Sequence, residues 1–307
     1  MTVFCIVLLN RSRKTIQKTS GECNTYFWDC LRAVPGLCGM MAGMGSLLEV
    51  IALHPADAEA AQEGGADRLE LCASMEADGL SPSVSTVSAI RRSTDLPLRV
   101  MLRLSDSFVT NGAELNRLTA SAQSYLAAGA DGFVFGFLTP DNAVDVESVA
   151  ALASTFAGTP WTFHRAIDAV LEQASAWRAL RSLSGLDCVL TAGSALGVTH
   201  GLDDLCKLAK DNPAIAGVMM AGGSLRPEHV PWLHQSGVRR FHVGSSVRQD
   251  GSWTKAYVNS GFVRSWRNLL DAQDARTRDA QPDPGSPAQS TPDAPDARDQ
   301  DSGDSRE

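Results

Sequence analysis

Short apolar runs alternate with longer amphipathic stretches from Leu47 to Val243. The runs predict strands at Leu47–Ile51, Arg68–Leu71, Leu98–Arg103, Gly132–Phe135, Trp161–His164, Cys188–Thr191, Gly217–Met220 and Arg240–Val243. The stretches between them space their apolar residues as helices do, so the pattern is a βα repeat. Strands two, four, six and eight each follow Gly, an apolar residue, and Asp or Arg: Gly65-Ala66-Asp67, Gly129-Ala130-Asp131, Gly185-Leu186-Asp187 and Gly237-Val238-Arg239. Glycine closes the preceding helix in a left-handed conformation. Strands three, five and seven instead follow Pro97, Pro160 and Pro213, which end a helix and favour an extended entry. A βαβα unit used four times fits a barrel, whose alternate strands fill alternate interior layers. An open doubly wound sheet gives no reason for that alternation. The predicted fold is a single TIM-type (β/α)8 barrel over residues 46–273.

Every second side chain of a barrel strand points inward, and the outward set packs under helices. Phe133 and Phe135 take the outward role on strand four, Leu69 and Leu71 on strand two, Trp161 and Phe163 on strand five. That parity turns Glu49, Glu70, Cys72, Arg99, Met101, Arg103, Thr162, His164, Arg240 and His242 inward. Glu49, Glu70, Arg103, His164 and His242 then converge towards the upper half. Buried ionised groups are costly unless paired, so two readings stand. One is an ion network that fixes strand register. The other is a ligand site, because barrel sites lie at the C-terminal strand ends.

The last two strands end in Ala221-Gly222-Gly223-Ser224 and Gly244-Ser245-Ser246. Loops of this kind cradle phosphate through backbone N–H groups, and also serve as plain tight turns. Gly222, Gly223, Gly244 and Ser245 therefore join the candidate ligand set.

Composition narrows the picture at both ends. The chain has 307 residues and a net charge of −8. Residues 274–307 are rich in Asp, Pro, Ser and Gly and lack aromatic and branched aliphatic side chains, so they are expected to form a disordered acidic tail. Residues 1–45 hold one apolar run, Val3 to Leu9, and no continuing period. Arg11, Arg13 and Lys14 follow that run, the reverse of a signal peptide. A transit peptide fits slightly better; the preferred reading is a non-conforming, disordered extension upstream of Met40, Met41 and Met44. No apolar run approaches the ~20 residues that span a bilayer, and no basic patch suggests nucleic acid. The expected partner is a small anionic ligand, with a homodimer through the aromatic segment Trp253 to Trp266. Its alternative reading is a helix that closes the barrel bottom.

Cys5, Cys23, Cys30 and Cys38 match neither paired zinc ligation nor a disulfide framework. The barrel keeps Cys72, Cys188 and Cys206, which suits a reducing cytosol. HExxH is absent, and no Lys stands near an upper strand end, which argues against Schiff-base chemistry.

Several pieces together resemble the CutC family, named for copper homeostasis. They are Glu70-Leu71-Cys72-Ala73, Gly79-Leu80-Ser81-Pro82-Ser83, Thr162-Phe163-His164-Arg165-Ala166-Ile167-Asp168, Leu190-Thr191-Ala192-Gly193 and Met220-Ala221-Gly222-Gly223. The resemblance runs across the barrel and implies the same fold. It also brings Arg165 and Asp168 into the ligand set and makes Cu(I) an expected cofactor. After strand three this chain has Arg103-Leu104-Ser105-Asp106-Ser107-Phe108 where the family carries Arg-Pro-Arg and Gly-Gly-Asp-Phe. The second Arg is gone, and with it one contact to an anion.

Cu(I) prefers thiolate and thioether ligands. Cys72 alone among the barrel cysteines sits on the upper rim, with Met75 near enough to join it and His164 or His242 as a third ligand. Packing is the alternative role of both sulfurs. Two functions follow: a cytosolic protein that binds Cu(I) on the rim, or an enzyme acting on a small anionic metabolite. In the second, Glu49, Glu70 and His164 are the acid–base groups, and Arg103 holds negative charge.

Overall fold

The computed structural model describes residues 45–279. The expectations for Cys5, Cys23, Cys30, Cys38, the rest of the extension and the tail beyond Asp279 lie outside the described residues. Eight parallel strands close into a barrel in chain order. They are β1 (Leu47–Ala52), β2 (Arg68–Leu71), β3 (Leu98–Met101), β4 (Gly132–Phe135), β5 (Trp161–Phe163), β6 (Leu186–Thr191), β7 (Met219–Ala221) and β8 (Arg240–Val243). The helices are α1 (Pro55–Gly64), α2 (Val84–Arg91), α3 (Gly112–Ala127), α4 (Val146–Ser154), α5 (Gln173–Leu180), α6 (Val198–Asp211), α7 (Pro213–Ala216), α8 (Val230–Gln235) and α9 (Ser260–Asp279).

The strand-entry grammar is realised in the backbone. Gly65, Gly129, Gly185 and Gly237 have φ of +91°, +100°, +79° and +99°, a region where a side chain is strained. Asp67 and Asp131 then accept the N–H groups of Leu48 and Leu98, tying each turn to the neighbouring strand. Pro213 departs from expectation. It opens the short helix α7, where its missing N–H costs nothing, and β7 therefore starts at Met219 rather than Gly217.

The outward face of the sheet carries Phe133, Phe135, Trp161 and Phe163, all fully buried beneath helices. Each contributes roughly 1.5–3 kcal/mol by leaving water. Phe135 stacks on Trp161 at 4.4 Å between ring centroids. Parity does the rest: with these rings outside, the polar residues between them have only the interior to occupy.

α9 does not stop at Gln273. It continues to Asp279 because Asp274, acidic like the tail that follows, is used by the fold. Its carboxylate accepts the Ser46 N–H (2.6 Å) and hydroxyl (2.7 Å) and pairs with His234 Nε2 (2.7 Å). The expected barrel boundary at 273 is thus too early. Trp266 lies on the buried face of α9, whereas Tyr257 and Phe262 remain exposed.

Candidate functional site

β1 lies between β2 and β8, with Glu49 in register with Arg68 on one side and His242 on the other. All three side chains point inward and meet. Arg68 Nε donates to Glu49 Oε2 at 2.5 Å, and His242 Nδ1 lies 2.8 Å from Glu49 Oε1. His242 Nε2 faces Glu70 Oε2 at 3.5 Å. A chain of charge therefore rises from Arg68 through Glu49 and His242 to Glu70.

Their surroundings shift the two glutamates in opposite directions. Burial alone would raise Glu49, but the Arg68 charge and the bonds from His242 and Arg68 hold it down at about 2. Burial pushes Glu70 up to about 7, against the lowering pull of the His242 charge and with the help of the Glu49 charge. Burial would depress His242, yet Glu70 and Glu49 together lift it above its ordinary value. Glu70 Oε1 is buried and has no hydrogen-bond partner. Glu70 is thus the acid whose protonation the site leaves open.

His164 stands just beyond β5, at the start of a 3-10 turn over Arg165–Ala169. Its Nδ1 accepts the Ala166 N–H at 3.2 Å. Burial, then the nearby Arg103 charge, lowers it to about 3, so the ring is neutral and its proton sits on Nε2. Among the described residues Nε2 meets no acceptor. Phe108 packs against the ring at 5.3 Å between centroids.

Glu70, His164 and His242 line one cavity of about 450 Å³ at the C-terminal strand ends. Cys72, Met75, Met101 and Trp253 form one wall, and Arg165, Ser224, Ser245 and Ser246 line another. Glu49 lies beneath this floor and does not line it.

Other predicted site residues are brought to the rim but are occupied there. Arg103 donates to the carbonyls of Ala77 (2.8 Å), Gly79 (3.3 Å) and Asp106 (2.5 Å), clamping two loops. Its Nε alone is unpartnered. Asp168 accepts from Thr191 Oγ1 (2.6 Å), Ala192 N (3.0 Å), Gly193 N (3.2 Å) and Arg165 Nε (2.9 Å), which fixes the loop after β6. Gly222 spends its N–H on Thr191. A Cβ at Gly222 would stand 2.8 Å from His242 Cβ, one at Gly223 2.7 Å from Arg165 Nε, and one at Gly244 2.6 Å from the Trp253 ring. These glycines make room for protein side chains.

Sequence reasoning missed Arg68, Phe108, Asp57 and Arg248. Arg68 was legible by parity, being two residues before Glu70. Asp57 and Arg248 form a buried bidentate pair across the rim, and nothing local in the sequence announces it.

The model of the CutC family matches residues 46–247. The chain belongs to the CutC family. It is 32% identical over 210 residues to the human copper homeostasis protein cutC homolog, covering 68% of this chain and 77% of that one. A family protein CutC of Xanthomonas axonopodis pv. citri is 33% identical over 202 residues, covering 64% and 82%. The crystal structure of CutC from Streptococcus agalactiae superposes with a TM-score of 0.58 at 23% identity, covering 65% of this chain and 98% of that one. That likeness shows the shared barrel.

For a CutC family member the question of copper falls on the sulfurs. Cys72 Sγ and Met75 Sδ lie 3.5 Å apart. Cys188 is fully buried with Leu190 and Met220, away from the cavity, and Cys206 is on α6. Burial, then the Glu70 charge, raises Cys72 well above the usual thiol value, so the thiolate that Cu(I) prefers is disfavoured. No group of three or more His, Cys, Asp or Glu side chains among the described residues could hold a metal ion. The residues present do not make a closed copper site. No helix among the described residues is long and apolar enough to cross a membrane.

Proposed function

We propose that this CutC family member binds a small carboxylate- or phosphate-bearing molecule in the rim cavity and exchanges a proton with it through Glu70. One observation carries the reading: Glu70 is buried at the cavity floor with Oε1 unpartnered and its protonation poised near neutrality. A structural carboxylate would be satisfied, as Asp168 is. Arg165 and the serines on the opposite wall suit the anionic end of such a ligand. We place the protein in the cytosol, a compartment that suits the three free thiols found among the described residues, Cys72, Cys188 and Cys206.

Cu(I) carriage is the second reading, supported by the names of the relatives and by the Cys72–Met75 contact. Two sulfurs alone give weak ligation, and the thiol must first lose its proton. Thermal melting of the chain against small phosphates, carboxylates and hydroxycarbonyl compounds, with buffered Cu(I) in parallel, separates the two. The expected result is stabilisation by an organic ligand that also perturbs the His164 and His242 imidazole resonances. Any Cu(I) effect should fall in Cys72→Ser and persist in Cys206→Ser. Stabilisation by Cu(I) alone, abolished by Cys72→Ser, would reverse the order of the two readings.

A further inference from the structure

Two groups at the cavity floor lack partners, and they ask for opposite ones. His164 Nε2 carries a proton and meets no acceptor, because its Nδ1 is committed to the Ala166 N–H. Glu70 Oε1 is buried and receives no donor. Both side chains line the cavity, so a ligand that engages the two must present an oxygen acceptor at one end and a removable proton at the other. Adjacent carbons, one a carbonyl and the other bearing hydrogen and hydroxyl, do this within a cavity of about 450 Å³.

The ring chemistry points the same way. A neutral imidazole N–H is a weak acid, close in strength to an enol, so it hydrogen-bonds an enolate oxygen without protonating it prematurely. The ring is neutral because Nδ1 accepts a backbone N–H, and the Arg103 guanidinium, which lines the same cavity, favours negative charge developing there. Beneath and beside Glu70, the apolar cluster of Ile51, Cys72, Met101 and Val134 keeps water from competing for the proton.

We propose that the cavity takes an α-hydroxy aldehyde or ketone, that Glu70 removes the proton from the carbon beside the carbonyl, and that His164 Nε2–H binds the oxygen as it becomes an enolate. This rests on the small-ligand reading above. The C–H bond pair becomes the C=C bond, and the carbonyl π pair moves onto oxygen. The proton passes to the Glu70 carboxylate and returns to the neighbouring carbon, while the hydroxyl proton crosses between the two oxygens. The sum is a 1,2-isomerisation, balanced without oxidant or reductant. His242, held by Glu49 from below, is a positioning residue that steadies Glu70.

Calorimetric titration of the full chain tests the proposal with four probes. Glycolohydroxamate and phosphoglycolohydroxamate mimic the enediolate; glycolamide and phosphoglycolamide mimic the ground state. At least one hydroxamate should bind about 100-fold or more tightly than its amide, the discrimination expected of an intermediate mimic. Glu70→Gln and His164→Asn should each remove most of that gap by weakening hydroxamate binding far more than amide binding. Equal binding of hydroxamate and amide to the unaltered chain overturns the proposal and leaves the small-ligand reading standing. Binding of none of the four overturns both. The unaltered chain alone decides these outcomes, so a variant that fails to fold does not protect the idea.

Discussion

The acids at the rim and at the cavity floor fall into two groups that differ in how their oxygens are used. Asp57 accepts from Leu53 N (2.9 Å), Val258 N (2.8 Å) and both terminal nitrogens of Arg248 (3.2 and 2.8 Å). Asp168 is saturated in the same way by Thr191, Ala192, Gly193 and Arg165. Below that rim, at the cavity floor, Glu70 has one oxygen 3.5 Å from His242 and the other without a partner. Saturated acids define the loops; the unsaturated one faces the cavity. Desolvating a carboxylate is costly and is offset only by good partners, so an unsatisfied acid persists where something other than folding keeps it.

The largest effect should come from the saturated region. Arg248 is buried against Asp57 and also holds the Ile51 and Ala256 carbonyls. Arg248→Met leaves a buried carboxylate without its cation and should cost about 3–5 kcal/mol in urea unfolding. A loss near zero would mean that the loop relaxes to hydrate Asp57, and the contrast between the two groups would collapse.

Glu70→Gln should act with the opposite sign. A carboxyl raised from 4.5 to about 7 in the folded chain gives up its proton more readily when unfolded, so stability falls as pH rises across that window. His242 adds to the fall: its raised value supplies stability below its ordinary pKa of 6.5, lost as pH passes the folded value. At 1.36 kcal/mol per unit, the Glu70 shift alone corresponds to at most ~3 kcal/mol. Glu70→Gln should therefore be more stable than the parent by roughly 1–3 kcal/mol at pH 8, with a flatter dependence between pH 5 and about 7. Destabilisation at pH 8 would move Glu70 into the structural group.

What the sequence made legible follows from which signals are local. Strand parity needs only the period of two, and it turned Glu49, Glu70, His164 and His242 inward as observed. The left-handed glycines before the even strands are equally local. Pro213 misled because proline suits a helix start as well as a helix end. Asp274 misled because composition cannot see the three donors that await it from Ser46 and His234. The division of labour at the rim was not legible at all. Arg103 looks like an anion contact until its partners turn out to be backbone carbonyls, which every residue has and no sequence marks.

His164 belongs to both groups at once, and the smallest predicted effect comes from separating its two nitrogens. Nδ1 caps the turn at Arg165–Ala169, a structural task that any short side-chain acceptor performs. Nε2 is the unpaired donor at the cavity. Asparagine places an oxygen near the Nδ1 position and nothing at Nε2, so His164→Asn should keep the cap and change stability by no more than about 0.5 kcal/mol. His164→Leu fills similar space but cannot accept the Ala166 N–H, and should cost about 1 kcal/mol more. Thermal and urea unfolding of the pair measures the difference directly. If Asn and Leu cost the same, the cap contributes nothing, and the ring is held by Phe108 and Phe163 packing instead. If both cost several kcal/mol, the imidazole is part of the barrel's framework and its free nitrogen has no ligand to explain.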